Sequence, residues 1–124
     1  MSKTSRVTDI SVKAGSKTFK VRLADNETAI AFRSRLPMTL KMKELNGNEK
    51  FQDLSKALPQ NAINPGKIEK GDLMLYGSRT VVLFYKTFTT SYAYTRIGNV
   101  TNPSHLVDVL GSGDVEVTFI PESL

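Results

Sequence analysis

No cysteine and no tryptophan occur among the 124 residues, and histidine occurs once, at His105. Without cysteine there are no disulfides, thiolate metal sites, iron–sulfur clusters or cysteine nucleophiles. A lone histidine leaves nothing for a His-rich metal site. Long apolar runs are missing too: the longest, residues 81–85, has the length of a core strand and not of a membrane span. The first seven residues, Met1-Ser-Lys-Thr-Ser-Arg-Val7, lack the apolar stretch of a secretory signal. The expectation is a cytoplasmic protein with no membrane, metal or cofactor in its chemistry. The same sequence would remain after removal of an export signal.

What is present is a chain 40% hydrophobic and 23% charged, long enough for residues 1–124 to form one domain around a real core. The net charge of +5 is uneven: residues 1–62 carry 12 basic and 6 acidic side chains, residues 63–124 carry 5 and 6. A basic half raises the question of nucleic acid. Yet Lys13, Lys17, Lys20, Arg22, Lys41 and Lys43 fall singly within alternating segments, as the wet faces of strands do. No nucleic-acid partner is expected.

Short strand signals dominate. Residues 7–12 and 18–23 flank the hairpin turn Ala14-Gly15-Ser16-Lys17, and Phe19, Val21 and Leu23 alternate with Lys20 and Arg22. A helix follows, capped by Asp25 or Asn26, with Ala29, Phe32 and Leu36 on one side and Pro37 as its stop. Leu40 and Met42 alternate with lysines in the next strand, and Asn46-Gly47 marks a tight turn. Residues 54–58 read as one helical turn and residues 59–71 as a loop. Residues 73–76 and 81–85 are joined through Gly77-Ser78. The second run is apolar on both faces, so it is placed centrally, with core on one side and a cap or pocket on the other. Residues 92–100 form the next strand. Asn102 caps a short helix with Pro103 at its first position and Gly111 beyond its end, and residues 114–120 close the pattern. About eight strands and two short helices make a mainly β domain, read as one barrel with helices over its ends.

Few residues carry chemistry. His105 and Asp108, with Ser104 or Ser112, would have to form a hydrolytic triad within one turn, so His105 reads as an exposed helix-start residue. Gly111-Ser112-Gly113-Asp114 follows a helix and does not precede one, which makes it a helix exit and not an anion cradle. Glu44, Glu49, Asp53 and Asp72 are read as isolated at turns and strand ends, leaving no paired carboxylates. One segment stands apart. In residues 91–98, Ala93, Thr95 and Ile97 share one side of a strand and Tyr92, Tyr94 and Arg96 the other. With the small set inside the barrel, two tyrosines and an arginine stand outside it, a recognition surface or ordinary cross-strand packing.

Longer motifs run in consistent order: Leu36-Pro37-x-Thr39-Leu40-x-Met42, Asn46-Gly47-Asn48-Glu49-Lys50 and Gly71-Asp72-Leu73-Met74-Leu75-Tyr76-Gly77. They continue through Val82-x-Phe84-Tyr85-Lys86, Ser91-Tyr92-x-Tyr94-Thr95-x-Ile97-Gly98 and Leu110-Gly111-Ser112-Gly113-Asp114-Val115-x-Val117. In these the chain resembles the bacterial cyclophilin-like proteins, small barrels whose biochemical role is largely unassigned. The resemblance implies a closed eight-stranded antiparallel cyclophilin-like β-barrel capped by two short helices. True cyclophilins, the peptidyl-prolyl isomerases, are more distant relatives. They use an arginine on a mid-barrel strand, within a groove of aromatics, a glutamine and a histidine. The corresponding strand here, residues 39–45, offers Lys41 and Lys43 instead; Tyr94 falls near the histidine position, and Gln52 is a loose match for the glutamine. A lysine is a poor substitute for a planar guanidinium fork.

The sequence therefore points to a binding module without the isomerase residues, for a peptide or a small anionic or aromatic ligand. Its outer aromatic and basic groove would be formed around Tyr76, Phe84, Tyr92, Tyr94 and Arg96, with Met42 as a soft wall. The alternative is a weak peptidyl-prolyl isomerase that draws on Arg96 or Arg79. A third reading, a module working beside a redox or flavin partner, has no flavin pattern to support it. Oligomeric state is not encoded in any of these patterns.

Overall fold

A computed structural model describes residues 9–122. In chain order the elements are β1 (Ile10–Ala14), β2 (Lys17–Leu23), α1 (Glu27–Ser34), β3 (Met38–Leu45), β4 (Glu49–Asp53), β5 (Lys67–Ile68) and β6 (Asp72–Tyr76). They continue with β7 (Thr80–Phe84), β8 (Phe88–Thr89), β9 (Thr95–Val100), α2 (Leu106–Leu110) and β10 (Val115–Pro121). Eight strands close into an antiparallel barrel in the order β1-β10-β3-β4-β7-β6-β9-β2, and β5 and β8 pair separately. Closure leaves the barrel no free edge.

Strand alternation sorts the side chains into two apolar clusters. The interior is filled from every barrel strand but β4, by residues such as Ile10, Val12, Val21, Met42, Leu73, Leu75, Leu83, Ile97, Val117 and Phe119. Helix α1 adds Phe32, whose ring meets Phe119 edge-on at 5.4 Å. Truncating a buried phenylalanine of this kind costs about 3–5 kcal/mol. Asn26, and not Asp25, caps α1: its Oδ1 accepts from the Ala29 N–H at 2.7 Å. The β3–β4 turn places Asn46 at φ 57° and Gly47 at φ 68°, the paired left-handed conformation that Asn-Gly favours. Gly98 is required by proximity, because a Cβ there would sit 2.5 Å from the Arg22 carbonyl oxygen on β2.

A second cluster lies outside the barrel wall. Strand β7 turns Val81 and Leu83 inward and Val82 and Phe84 outward, so it is apolar on both faces, as its sequence foretold. Ile68, Met74 and Tyr94 complete this outer group, with Phe51 and Phe88 packed against it. Ile68 arrives on β5, within the segment expected to be plain loop. That segment crosses the wall and is held by β8 and by a bridge between Ile63 and Tyr94.

Other expectations need adjustment. Residues 54–58 form no helical turn: the Leu54 and Leu58 N–H groups donate to the Arg79 and Ser78 carbonyls at 2.7 and 2.8 Å, so the turn between β6 and β7 takes the bonds a helix would use. Strand β9 starts at Thr95, after the bridged Tyr94. Helix α2 starts at Leu106, whose N–H closes a turn on the Pro103 carbonyl. It has His105 and not Asn102 at its cap. The first expected strand runs over residues 10–14, and residues 7 and 8 lie outside the described region.

Candidate functional site

Three tyrosines meet above the outer cluster. Tyr94 is buried and stands edge-on to Phe84, with centroids 5.5 Å apart at 89°. Tyr76, from the end of β6, lies 5.6 Å from Tyr94 at 56° and 6.1 Å from Tyr92 at 86°. Tyr76 and Tyr92 remain 47% and 60% exposed, a large aromatic area to leave in water. They border a cleft of about 390 Å³ that Phe51, Tyr94 and Glu49 also line, with Asp53 and Thr80 among its other residues. Tyr76, Tyr92 and Tyr94 are thus brought together as the sequence led us to expect.

The remaining expected residues lie elsewhere. Phe84 is fully buried beneath Tyr94 and Phe88, so it supports the cleft without lining it. Met42 is not on the outer wall. It alternates with the wet Lys41 and Lys43 and therefore points into the barrel core. Arg96 does stand outside the barrel but does not make the tyrosine cleft basic. Its Nη1 reaches Asp72 Oδ1 at 3.3 Å, and a buried carboxylate such as Asp72 needs that partner. Arg96 lines a separate hollow of about 490 Å³ between α1 and residues 59–63. Polar groups there are already engaged: Thr28 Oγ1 donates to the Pro59 carbonyl, Thr95 Oγ1 accepts from the Asn61 N–H, and Asn26 Nδ2 donates to the Arg96 carbonyl. That hollow is a packing seam.

Two residues the sequence reading passed over dominate the electrostatics. Glu49 faces outward on β4, opposite Phe84, and is only 8% exposed. Burial, with the charge of Glu44 adding to it, raises its carboxyl to about 7. Among the described residues no donor hydrogen-bonds this carboxyl. Lys50, the next residue, points inward and is fully buried. Its Nζ donates to Glu44 Oε1 and to the Gly111 carbonyl, each at 2.9 Å, and to the Gly113 carbonyl. All three ammonium protons are satisfied. Tyr85 adds a hydroxyl bond to Glu44 Oε1 at 2.7 Å and sets its ring 5.4 Å from the lysine nitrogen.

The network has its own titration behaviour. Burial alone would raise Glu44, but hydrogen bonds from Lys50, Tyr85 and the Gly47 N–H hold it below the ordinary carboxylate range. Tyr85 is pushed up to about 12, mainly by burial and then by its bond to Glu44. Burial, followed by the charge of Glu49, also raises Tyr94. The four carboxylates read as isolated are therefore not so: Glu44 and Glu49 sense one another, Asp53 accepts from Thr80 Oγ1 at 2.7 Å, and Asp72 is buried against Arg96. The signal available was β4 itself, a strand with Glu49 and Phe51 on one face beside a β7 already placed at the centre.

The other motifs carry no assembled chemistry. His105 is exposed at the α2 cap, and Ser104 Oγ bonds Asn102 Oδ1 at 3.1 Å. The Gly111 N–H closes α2 on the Val107 carbonyl at 3.1 Å, and the Gly111 and Gly113 carbonyls accept from Lys50. Among the described residues no three His, Asp or Glu side chains converge as metal ligands, and no helix is long and apolar enough to cross a membrane.

Comparison with known proteins bears on the fold. The sequence profile of the cyclophilin-like family matches residues 12–120. The solution structure of a hypothetical protein from Archaeoglobus fulgidus superposes with a TM-score of 0.68, at 16% identity, covering 98% of this chain and 100% of that one. No curated protein matches the sequence.

Proposed function

The chain belongs to the cyclophilin-like family, and we propose that it is a binding module whose tyrosine cleft takes a peptide side chain or a small molecule. The observation that carries this reading is the exposure of Tyr76 and Tyr92 beside a cleft of about 390 Å³ with a buried carboxyl in its wall. Two large rings left in water, next to a carboxyl that is mostly covered but opens onto the cleft, are what a ligand site requires and a packing face avoids. The cleft is aromatic and acidic, not aromatic and basic. No arginine lines it, and Arg79 at its rim is turned to Asp53, 3.9 Å away. The lack of an arginine in the lining favours binding over isomerisation, and a proline-peptide isomerisation assay should stay at background.

The binding reading is tested by screening small molecules and short peptides for thermal stabilisation of the parent and of a Tyr76→Ala/Tyr92→Ala variant. Ligands of the cleft should stabilise the parent and lose most of that effect in the variant. Hits that stabilise both equally would place the ligand elsewhere.

A further inference from the structure

Resting on the cleft as a binding site, we propose that its ligand is a small organic cation, an alkylated ammonium group held among the tyrosine rings against Glu49. The charge of the lining is the first argument. On a chain with a net charge of +5, the cleft carries two carboxyl side chains, Glu49 and Asp53, and no lysine, arginine or histidine. An anion entering it would meet carboxylates and aromatic π-electrons together.

Ring geometry is the second argument. Phe51, Tyr76, Tyr92 and Tyr94 all border the space. The ring planes do not stack: Tyr76 and Tyr92 stand nearly perpendicular, and Tyr76 and Tyr94 are tilted by 56°. Rings packed on one another at steep angles and not face to face leave aromatic surface on the cleft, and such surface attracts ammonium groups through the ring quadrupole. Polar bookkeeping supplies the third argument. Asp53 is already served by Thr80 Oγ1 at 2.7 Å and by Arg79. Glu49 has no such donor among the described residues, and an alkylated ammonium would supply the missing charge while its methyl groups covered the rings.

The cation and the Glu49 proton then compete. Around that carboxyl stand Glu44 and Tyr85 from the inner network, Tyr94 and Tyr76 on the outer wall, and Asp53 further along β4. Lys50 is turned inward and committed to Glu44. Glu49, raised to about 7, changes charge near neutrality, so cation affinity rises with pH across that range.

The probes are choline and its uncharged isostere 3,3-dimethyl-1-butanol, titrated by NMR into the full chain at constant ionic strength, at pH 6 and pH 8. Choline should shift resonances of Tyr76, Tyr92 and Tyr94, with the neutral isostere about tenfold weaker at pH 8. With Glu49 titrating at about 7, choline should bind more weakly at pH 6 than at pH 8, by at most about fivefold. Glu49→Gln should remove the pH difference and narrow the preference over the alcohol to what the rings alone supply, and its spectrum reports whether it folds. Tyr92→Ala should weaken choline at both pH values while leaving the ratio between them. Equal binding of choline and the alcohol would overturn the charge selection yet leave the cleft standing as a site. No choline binding by the folded parent at pH 8 would overturn the inference outright. The binding-module reading fails only if the tyrosine double variant retains its screened ligands.

Discussion

Glu49 and Lys50 are neighbours on one strand, and both bury an ionisable group, yet they face opposite sides of the barrel wall and opposite circumstances. The lysine, turned inward, finds a carboxylate and two backbone carbonyls, with a tyrosine hydroxyl completing the network. The glutamate, turned outward, finds aromatic rings and no hydrogen-bond donor among the described residues. A buried charge with its partners in place is part of the fold's framework. A buried ionisable group without them is held at a cost, and at the mouth of a cleft that cost is one a ligand relieves.

This contrast can be broken most forcefully from the inner side. Lys50→Ala should cost about 3–5 kcal/mol in chemical denaturation, since it empties the fully buried site of a long side chain and takes the cationic partner from Glu44 and from two loop carbonyls. A loss under about 1 kcal/mol would mean that the network is ornamental and the comparison unsound.

The outer side should respond with the opposite sign. The Glu49 carboxyl releases its proton near 4.5 in the unfolded chain and at about 7 in the folded one, so the folded state binds more protons across that window. Stability tied to Glu49 is therefore present at low pH and is lost as pH climbs towards and through 7. Glu49→Gln, which cannot ionise, should be more stable than the parent at pH 8 by at most about 3 kcal/mol, and the gain should vanish near pH 4.5. Thermal melts of the two proteins across that range measure it, and an unchanged or reversed difference would show that the carboxyl has a partner after all.

Tyr85→Phe sharpens the inner half more finely. Removing a hydroxyl bonded to a charged acceptor should cost about 1.5–3 kcal/mol, read by urea denaturation. The smallest stability effect belongs to the cleft. Tyr92→Ala should change folding stability by no more than about 0.5 kcal/mol, because this exposed ring supports little of the core. A larger loss would make Tyr92 a packing residue and remove the main evidence for a site.

The unequal legibility of the two faces follows from the distance over which each is determined. Alternation and turn chemistry act over a few residues, so the Asn46-Gly47 turn, the outward tyrosines and the two-faced β7 could be read from their own segments. Arg96 could be placed outside the barrel by the same reasoning, but not its attachment to Asp72, which lies 24 residues away. Met42 was misplaced against its own alternation with Lys41 and Lys43, which already pointed it inward. Leu54 and Leu58 mimic a helix face by their spacing, and only the carbonyls of the turn at Ser78 and Arg79 decide otherwise. Glu49 and Lys50 follow an Asn-Gly turn and look like its solvated flank. Two of the lysine's partners are 61 and 63 residues further along the chain, so nothing near Lys50 announces that it is buried.

Those separations also order events in time. Strand β10 sits between β1 and β3, and the Lys50 cation rests on carbonyls just ahead of β10. Before β10 is made, the other seven barrel strands can pair only as an open sheet, with a charged side chain where the barrel's lining should be. Until the ribosome has released residues 111–121 no closed barrel exists, and Lys50 has only Glu44 to hold it. Closure of the barrel is thus tied to its last strand, which joins two strands made long before it.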